Sequence, residues 1–208
     1  GIHKLFYKIF TTVFLSLSVF SLMAQTGPAG VGNADGSGGI AENFLWLDAA
    51  TIGVVDGADV VTWTDISGNG TVFSASSSGN LPDFETNEVN GLPVVEFDDA
   101  NAERLVVNPF GNMATDAITT IIVFAANNNG EALLSYAIPG ESNEYTIFDP
   151  GNMRTYLNDN FSTGGDLTDG LTTFNIFAST WNGASGDLNH YKNSSNVNSA
   201  TLATGFSI

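Results

Sequence analysis

An all-β, two-sheet antiparallel sandwich is the fold that this sequence predicts, and three observations carry the prediction. From residue 44 onward, short apolar or alternating runs are separated by clusters of Gly, Asn, Asp, Ser and Pro, the pattern of strands and turns. No run of helical period lasts three turns. The 23 glycines and 15 phenylalanines suit such a fold, because aromatic rings fill a two-sheet core and glycine supplies the positive-φ turn positions.

Taken in order, the runs predict strands at 44–47, 60–63, 93–97, 105–107, 119–125, 132–136, 145–148, 153–157, 174–181 and 188–192. Each is bounded by turn formers, as where Asn90-Gly91 precedes the run at 93–97. A chain of 208 residues lies within the size of one all-β domain, so a single core is expected, occupying 41–208. The glycine-rich stretch 25–40 cannot bury enough surface to order itself and reads as a linker.

Residues 1–24 read as a secretory signal peptide: Lys4 and Lys8 are followed by an apolar stretch, 9–23, and by the small residue Ala24. The rival reading is a membrane anchor. Against it, the stretch contains Thr11, Thr12, Ser16, Ser18 and Ser21 and is short for a span of about 20 residues. Export to the cell surface or exterior, without membrane insertion after cleavage, is the expectation.

Charge narrows the partners. The chain has 22 acidic residues against 5 basic ones, so nucleic acid and anionic headgroups are repelled. Divalent cations are favoured, although solubility alone also accounts for the acidity. The absence of cysteine excludes disulfides, thiolate chemistry and Cys-type zinc sites, and two histidines, His3 and His190, are too few for a histidine-rich site.

Three motifs in order, FLWLDA (44–49), VVTWTDISGNG (60–70) and LPDFETNEVNGLPVVEFDDANAERLVV (81–107), resemble the opening of the laminin-G-like, concanavalin-A-like modules of exported bacterial surface proteins. From residue 118 the resemblance narrows to the pentraxins, through LLSYA (133–137), SNEYTIF (142–148), STWNGASGDLNHYKN (179–193) and SATLATGFSI (199–208). It covers about residues 44–208 and implies a flattened jelly roll with further strands after residue 208. Pentraxins of vertebrates carry a cysteine pair. At the corresponding positions, about Ile122 and Ala178 stand here, and two apolar residues are expected to pack against each other.

The resemblance also implies a calcium site. The matching pentraxin tip reads Asp-Asn-Glu, and its Asp and Asn ligate calcium, a cation that takes 6 to 8 hard oxygens. Here the tip is Ser142-Asn143-Glu144, with Asn143 retained, the Asp position neutral, and Glu141 placed to compensate. The candidate metal ligands are therefore Glu141, Ser142 and Asn143, and the competing reading is a plain hairpin loop.

Other candidates have structural readings. Asp65-Ile66-Ser67-Gly68-Asn69-Gly70 lacks the spaced acids of an EF-hand and is expected to be a capped turn. Glu96-Phe97-Asp98 begins the pattern of jelly-roll glucanases, but Asn101 and Ala102 occupy the two third positions. Glu103, at an odd offset, belongs on the other strand face, and DDANAE reads as a turn. His190 is expected to be an exposed strand residue, there is no G-x-S-x-G elbow, and Trp46, Trp63 and Trp181 are expected to pack in the core.

The expectation is a non-enzymatic, lectin-like module that binds carbohydrate or another polar extracellular ligand within a larger adhesion protein. Two alternatives stay open: an adhesive spacer without a small ligand, and a β-glucan hydrolase. Pentraxin rings imply nothing about the oligomeric state here.

Overall fold

The computed structural model describes residues 43–111 and 113–208. The signal peptide at 1–24 and the linker at 25–40 lie outside the described residues. The chain is all-β. Its strands are β1 Ala58–Asp59, β2 Thr62–Thr64, β3 Val72–Ala75, β4 Asp83–Val89, β5 Leu92–Glu96, β6 Leu105–Val106 and β7 Ala117–Ala126. The remainder are β8 Ala132–Tyr136, β9 Tyr145–Phe148, β10 Arg154–Leu157, β11 Asn160–Thr163, β12 Gly170–Asn182, β13 Asp187–Lys192 and β14 Ser195–Thr201.

These form four antiparallel sheets: β1-β4-β5, β2-β3-β6, β11-β10-β9-β8 and β14-β13-β12-β7. The two four-stranded sheets share one core, to which β9 and β10 give Tyr145, Ile147 and Leu157, while β12 and β13 give Phe177, Trp181 and Leu188. Strand alternation produces it. Along β12, Phe177, Ser179 and Trp181 are buried whereas Ile176 is exposed, as a period of two requires. This sharing of one core is the arrangement of a β-sandwich.

Three strands carry too few apolar residues to be read from the sequence: β4 (DFETNEV), β11 (NFST) and β14 (SNVNSAT). Their pairing partners impose the extended state, most clearly for β14, which pairs with β13 from Ser195 to Thr201. The predicted strand at 44–47 is irregular chain instead, held by the Trp46 amide donating to Asp65 Oδ1 at 2.7 Å. The predicted strand at 60–63 divides, because the chain passes at Val60-Val61 from the β1-β4-β5 sheet to the β2-β3-β6 sheet.

One pairing expectation is corrected by the register. Ile122 lies opposite Phe177 and Ala178 lies opposite Ile121, so Ile122 and Ala178 project from opposite faces of their sheet and do not pack together. The two-residue turns follow the sequence. Asn90-Gly91 joins β4 to β5, and Asn158-Asp159 joins β10 to β11, each with both residues at positive φ.

Candidate functional site

The loop between β8 and β9 carries the three residues singled out as metal ligands, and the structure brings two of them to a carboxylate from elsewhere. Ser142 Oγ donates to Asp159 Oδ1 at 3.4 Å and Asn143 Nδ2 donates to the same oxygen at 3.1 Å. Glu141 is exposed, with its amide donating to the Ile138 carbonyl. Glu144 does not face this cluster: it is buried and its Oε2 accepts from the Ile138 amide at 2.6 Å, closing the loop on itself. Among the described residues no group of three or more His, Cys, Asp and Glu side chains gathers to hold a metal.

Asp159 sits in the β10–β11 turn, and the strands it joins extend the cluster into a surface. Phe161 lies opposite Tyr156, which lies opposite Thr146 on β9; Arg154 lies opposite Phe148. With Thr155 and Leu157 buried in the core, alternation turns these intervening side chains to the outer face of the sheet. The Tyr156 and Phe161 ring centroids are 5.0 Å apart, and Phe148 meets Tyr156 edge-on at 6.1 Å. Arg154 lies over the Phe161 ring at 4.9 Å and its Nε is 3.3 Å from Asp149 Oδ2.

This ridge faces water. Phe161 is 47% exposed, and Ser135 on β8 is exposed on the same outer face, where its hydroxyl bonds Thr146 at 3.1 Å. The exposed Phe161 ring, with the half-buried Tyr156 ring tilted at 39° beside it, offers an apolar platform, and Asp159, Asn143 and Ser142 at its end offer acceptors and donors. Such a surface offers contacts to a ring-shaped, hydroxyl-rich ligand.

The tryptophans are placed differently. Trp181 is 3% exposed with its Nε1 donating to the Leu202 carbonyl, and Trp63 is half-buried with its Nε1 donating to the Asp48 carbonyl at 3.2 Å. Trp46 is also half-buried. The platform is thus built from Tyr156 and Phe161, which the sequence reading passed over. A signal existed: in YLNDNF two aromatics flank an Asn-Asp turn, out of phase with Thr155 and Leu157.

Asp65 is buried and serves its own turn: Oδ1 accepts from the Trp46 and Ser67 amides at 2.7 and 2.9 Å, and Oδ2 accepts from Ser67 Oγ at 2.5 Å. The turn reading of DDANAE also holds. Residues Asp99–Asn101 form a 3-10 turn capped by Asp98, and Glu103 Oε2 accepts from the Asp98 amide at 2.7 Å. Glu96 stands exposed at the end of β5.

His190 departs from its expected exposure. It is fully buried, because its place two residues after Leu188 puts it on the inward face of β13. Comparison with known protein families finds no matching family for this chain, and comparison with curated proteins finds no match.

Proposed function

We propose that the chain is a lectin-like binding module of an exported surface or adhesion protein, and that it recognises carbohydrate on the outer face of the β11-β10-β9-β8 sheet. One observation carries this reading: the exposed Phe161 ring, with half-buried Tyr156 against it, beside the Asp159, Asn143 and Ser142 oxygens and amide. The rings would stack on the apolar face of a sugar while the polar end takes its hydroxyls. The fold reading that accompanies it is the flattened jelly roll, and the localisation is secretion through the leader at 1–24.

A glycan array probed with the purified chain tests the module. Binding to a glycan set is expected, weakened about tenfold in Phe161→Ala, which corresponds to roughly 1.4 kcal/mol of lost stacking. A protein that binds no glycan, in calcium or in chelator, supports the spacer reading instead. Release of reducing sugar from β-glucan, lost in Glu96→Gln, would support the hydrolase.

Calcium belongs to the same proposal in a secondary place. Asp159 supplies the negative charge that Ser142 lacks, so Asp159, Ser142, Asn143 and Glu141 are the residues that would hold the ion, and the ion would supply positive charge toward sugar hydroxyls. Millimolar calcium is then expected to raise the melting temperature over that in chelator, and Asp159→Asn to abolish the rise. An unchanged melting temperature would leave sugar recognition to the rings and the tip without metal.

A further inference from the structure

Between the two four-stranded sheets runs a rank of polar side chains in an otherwise apolar core. Asn198 lies opposite His190, His190 opposite Ser179, and Ser179 opposite Thr120, so one rank crosses all four strands from β14 to β7. The next rank on one side is apolar, with Ile118, Trp181, Leu188 and Ala200. The facing sheet answers with polar groups at the same level.

His190 Nε2 lies 2.8 Å from Thr155 Oγ1, which lies 3.1 Å from Ser179 Oγ. Asn198 Nδ2 donates to Ser162 Oγ at 2.9 Å and stands 3.4 Å from His190 Nδ1, and Tyr145 Oη is 2.6 Å from Thr120 Oγ1. Thr155, Ser179, His190 and Tyr145 are each no more than 1% exposed. These bonds tie β10 and β11 to β12, β13 and β14 through the core.

The contacts suit a neutral ring. The Asn198 NH2 can only donate, which suits an acceptor Nδ1 with the hydrogen on Nε2 toward Thr155, the pattern of a neutral imidazole. A proton added at Nδ1 would face that NH2. Every group packed on the imidazole is uncharged: the Phe177 ring at 5.5 Å and Ser179 on β12, Asn198 on β14, Thr155 on β10, and Ser162 with the Thr163 carbonyl on β11. Gly164 brings main chain directly against the ring, since a Cβ there would lie 3.1 Å from His190 Cβ and Cγ. Lys192 on β13 is tied to Asp169 Oδ2 at 3.1 Å, and Tyr145, held neutral by burial with its pKa pushed up to about 12, offers no counter-charge at acid pH.

We propose that this rank is an acid latch: a proton on His190 places a charge without a counter-charge in the core between the sheets and turns an Nδ1 hydrogen against the Asn198 NH2, so that β10 and β11 lift from β13 and β14. Burial holds the His190 pKa below its ordinary value, with the Thr163 carbonyl opposing weakly. The unfolded or opened chain therefore binds the proton more readily. The latch's contribution is complete above about pH 6.5 and is lost as pH falls from there, by up to tenfold in the opening equilibrium per pH unit. Carboxylate titration sets in nearer pH 4 and is separable. Because Tyr156 and Phe161 ride on the other face of β10 and β11, opening would also disperse the ring platform, a consequence that rests on the proposed function.

Amide hydrogen exchange of the whole chain at pH 7.0 and 5.5, corrected for intrinsic chemical rates, tests the latch without any ligand. Amides of β10 and β11 are expected to open up to about tenfold more at pH 5.5, an increase absent in His190→Gln and reduced in Asn198→Asp, which sets a carboxylate beside the imidazole. An equal increase in His190→Gln, or none in the wild type, overturns the proposal. If His190→Gln does not fold, the imidazole signals of the wild type decide. A His190 that titrates near 6.5 without change in β10 and β11 overturns the latch; a protonation that coincides with their opening supports it.

Discussion

Asp65→Ala should destabilise the domain by about 3 kcal/mol or more, measured as the shift in urea unfolding at neutral pH. Its carboxylate is 4% exposed and accepts three hydrogen bonds, from the Trp46 amide, the Ser67 amide and Ser67 Oγ. Truncation strands all three donors in a turn largely closed to water, and each buried donor left unpaired costs about 1–3 kcal/mol. The loss spreads beyond the turn, because the Trp46 bond holds the segment 43–48 against the chain and the Ile66 amide donates to the Trp46 carbonyl next to it. Asp65→Asn keeps an acceptor oxygen and should recover more than half of the loss. A shift below 1 kcal/mol in Asp65→Ala would mean that the turn stands without its carboxylate.

Phe177→Ala should cost about 3–5 kcal/mol, the range for removing a fully buried aromatic side chain. Phe177 has no exposed surface, and it belongs to the cluster that also contains Tyr145, Ile147, Leu157, Trp181 and Leu188. The neighbouring substitution provides the internal control. Ile176 is 46% exposed on the opposite face of β12, so Ile176→Ala should change stability by no more than about 0.5 kcal/mol. Adjacent residues with such different costs report the register of β12 directly, since a slip of one position would exchange their faces. Equal costs for the two variants would contradict the assignment of the inner face.

The residues show why some of this structure was legible in the sequence. The strands at 132–136 and 145–148 follow their apolar runs because Leu133, Leu134, Tyr136, Tyr145 and Ile147 belong to the core cluster or pack against it. The strand β14 is hidden because it is a polar edge strand whose extended state comes from pairing with β13, a partner that only the fold supplies. His190 is a different failure. Its spacing from Leu188 already placed it inward, but a polar residue is assumed to seek water, and its burial depends on Thr155, which is 35 residues away in sequence.

The candidate site divides in the same way. Asn143 and Ser142 were visible as a polar tip, whereas Asp159 joins them from 16 and 17 residues further on, through the β10–β11 turn. The ring platform is hard to read from sequence, for Tyr156 and Phe161 lie in strands where alternation alone separates an outward ring from a core one. Nonlocal pairing, rather than local propensity, assembles the surface.

We propose that sugar binds on this outer sheet face. The most direct test is an NMR titration of the isotope-labelled chain with the best-binding oligosaccharide from the array, following the side-chain signals of each aromatic residue. Shifts are expected to concentrate on Tyr156, Phe161, Asn143 and Asp159, with Trp46, Trp63 and Trp181 unmoved. Shifts centred on the tryptophans, or on the β14-β13-β12-β7 sheet with the Tyr156–Phe161 ridge silent, would contradict it.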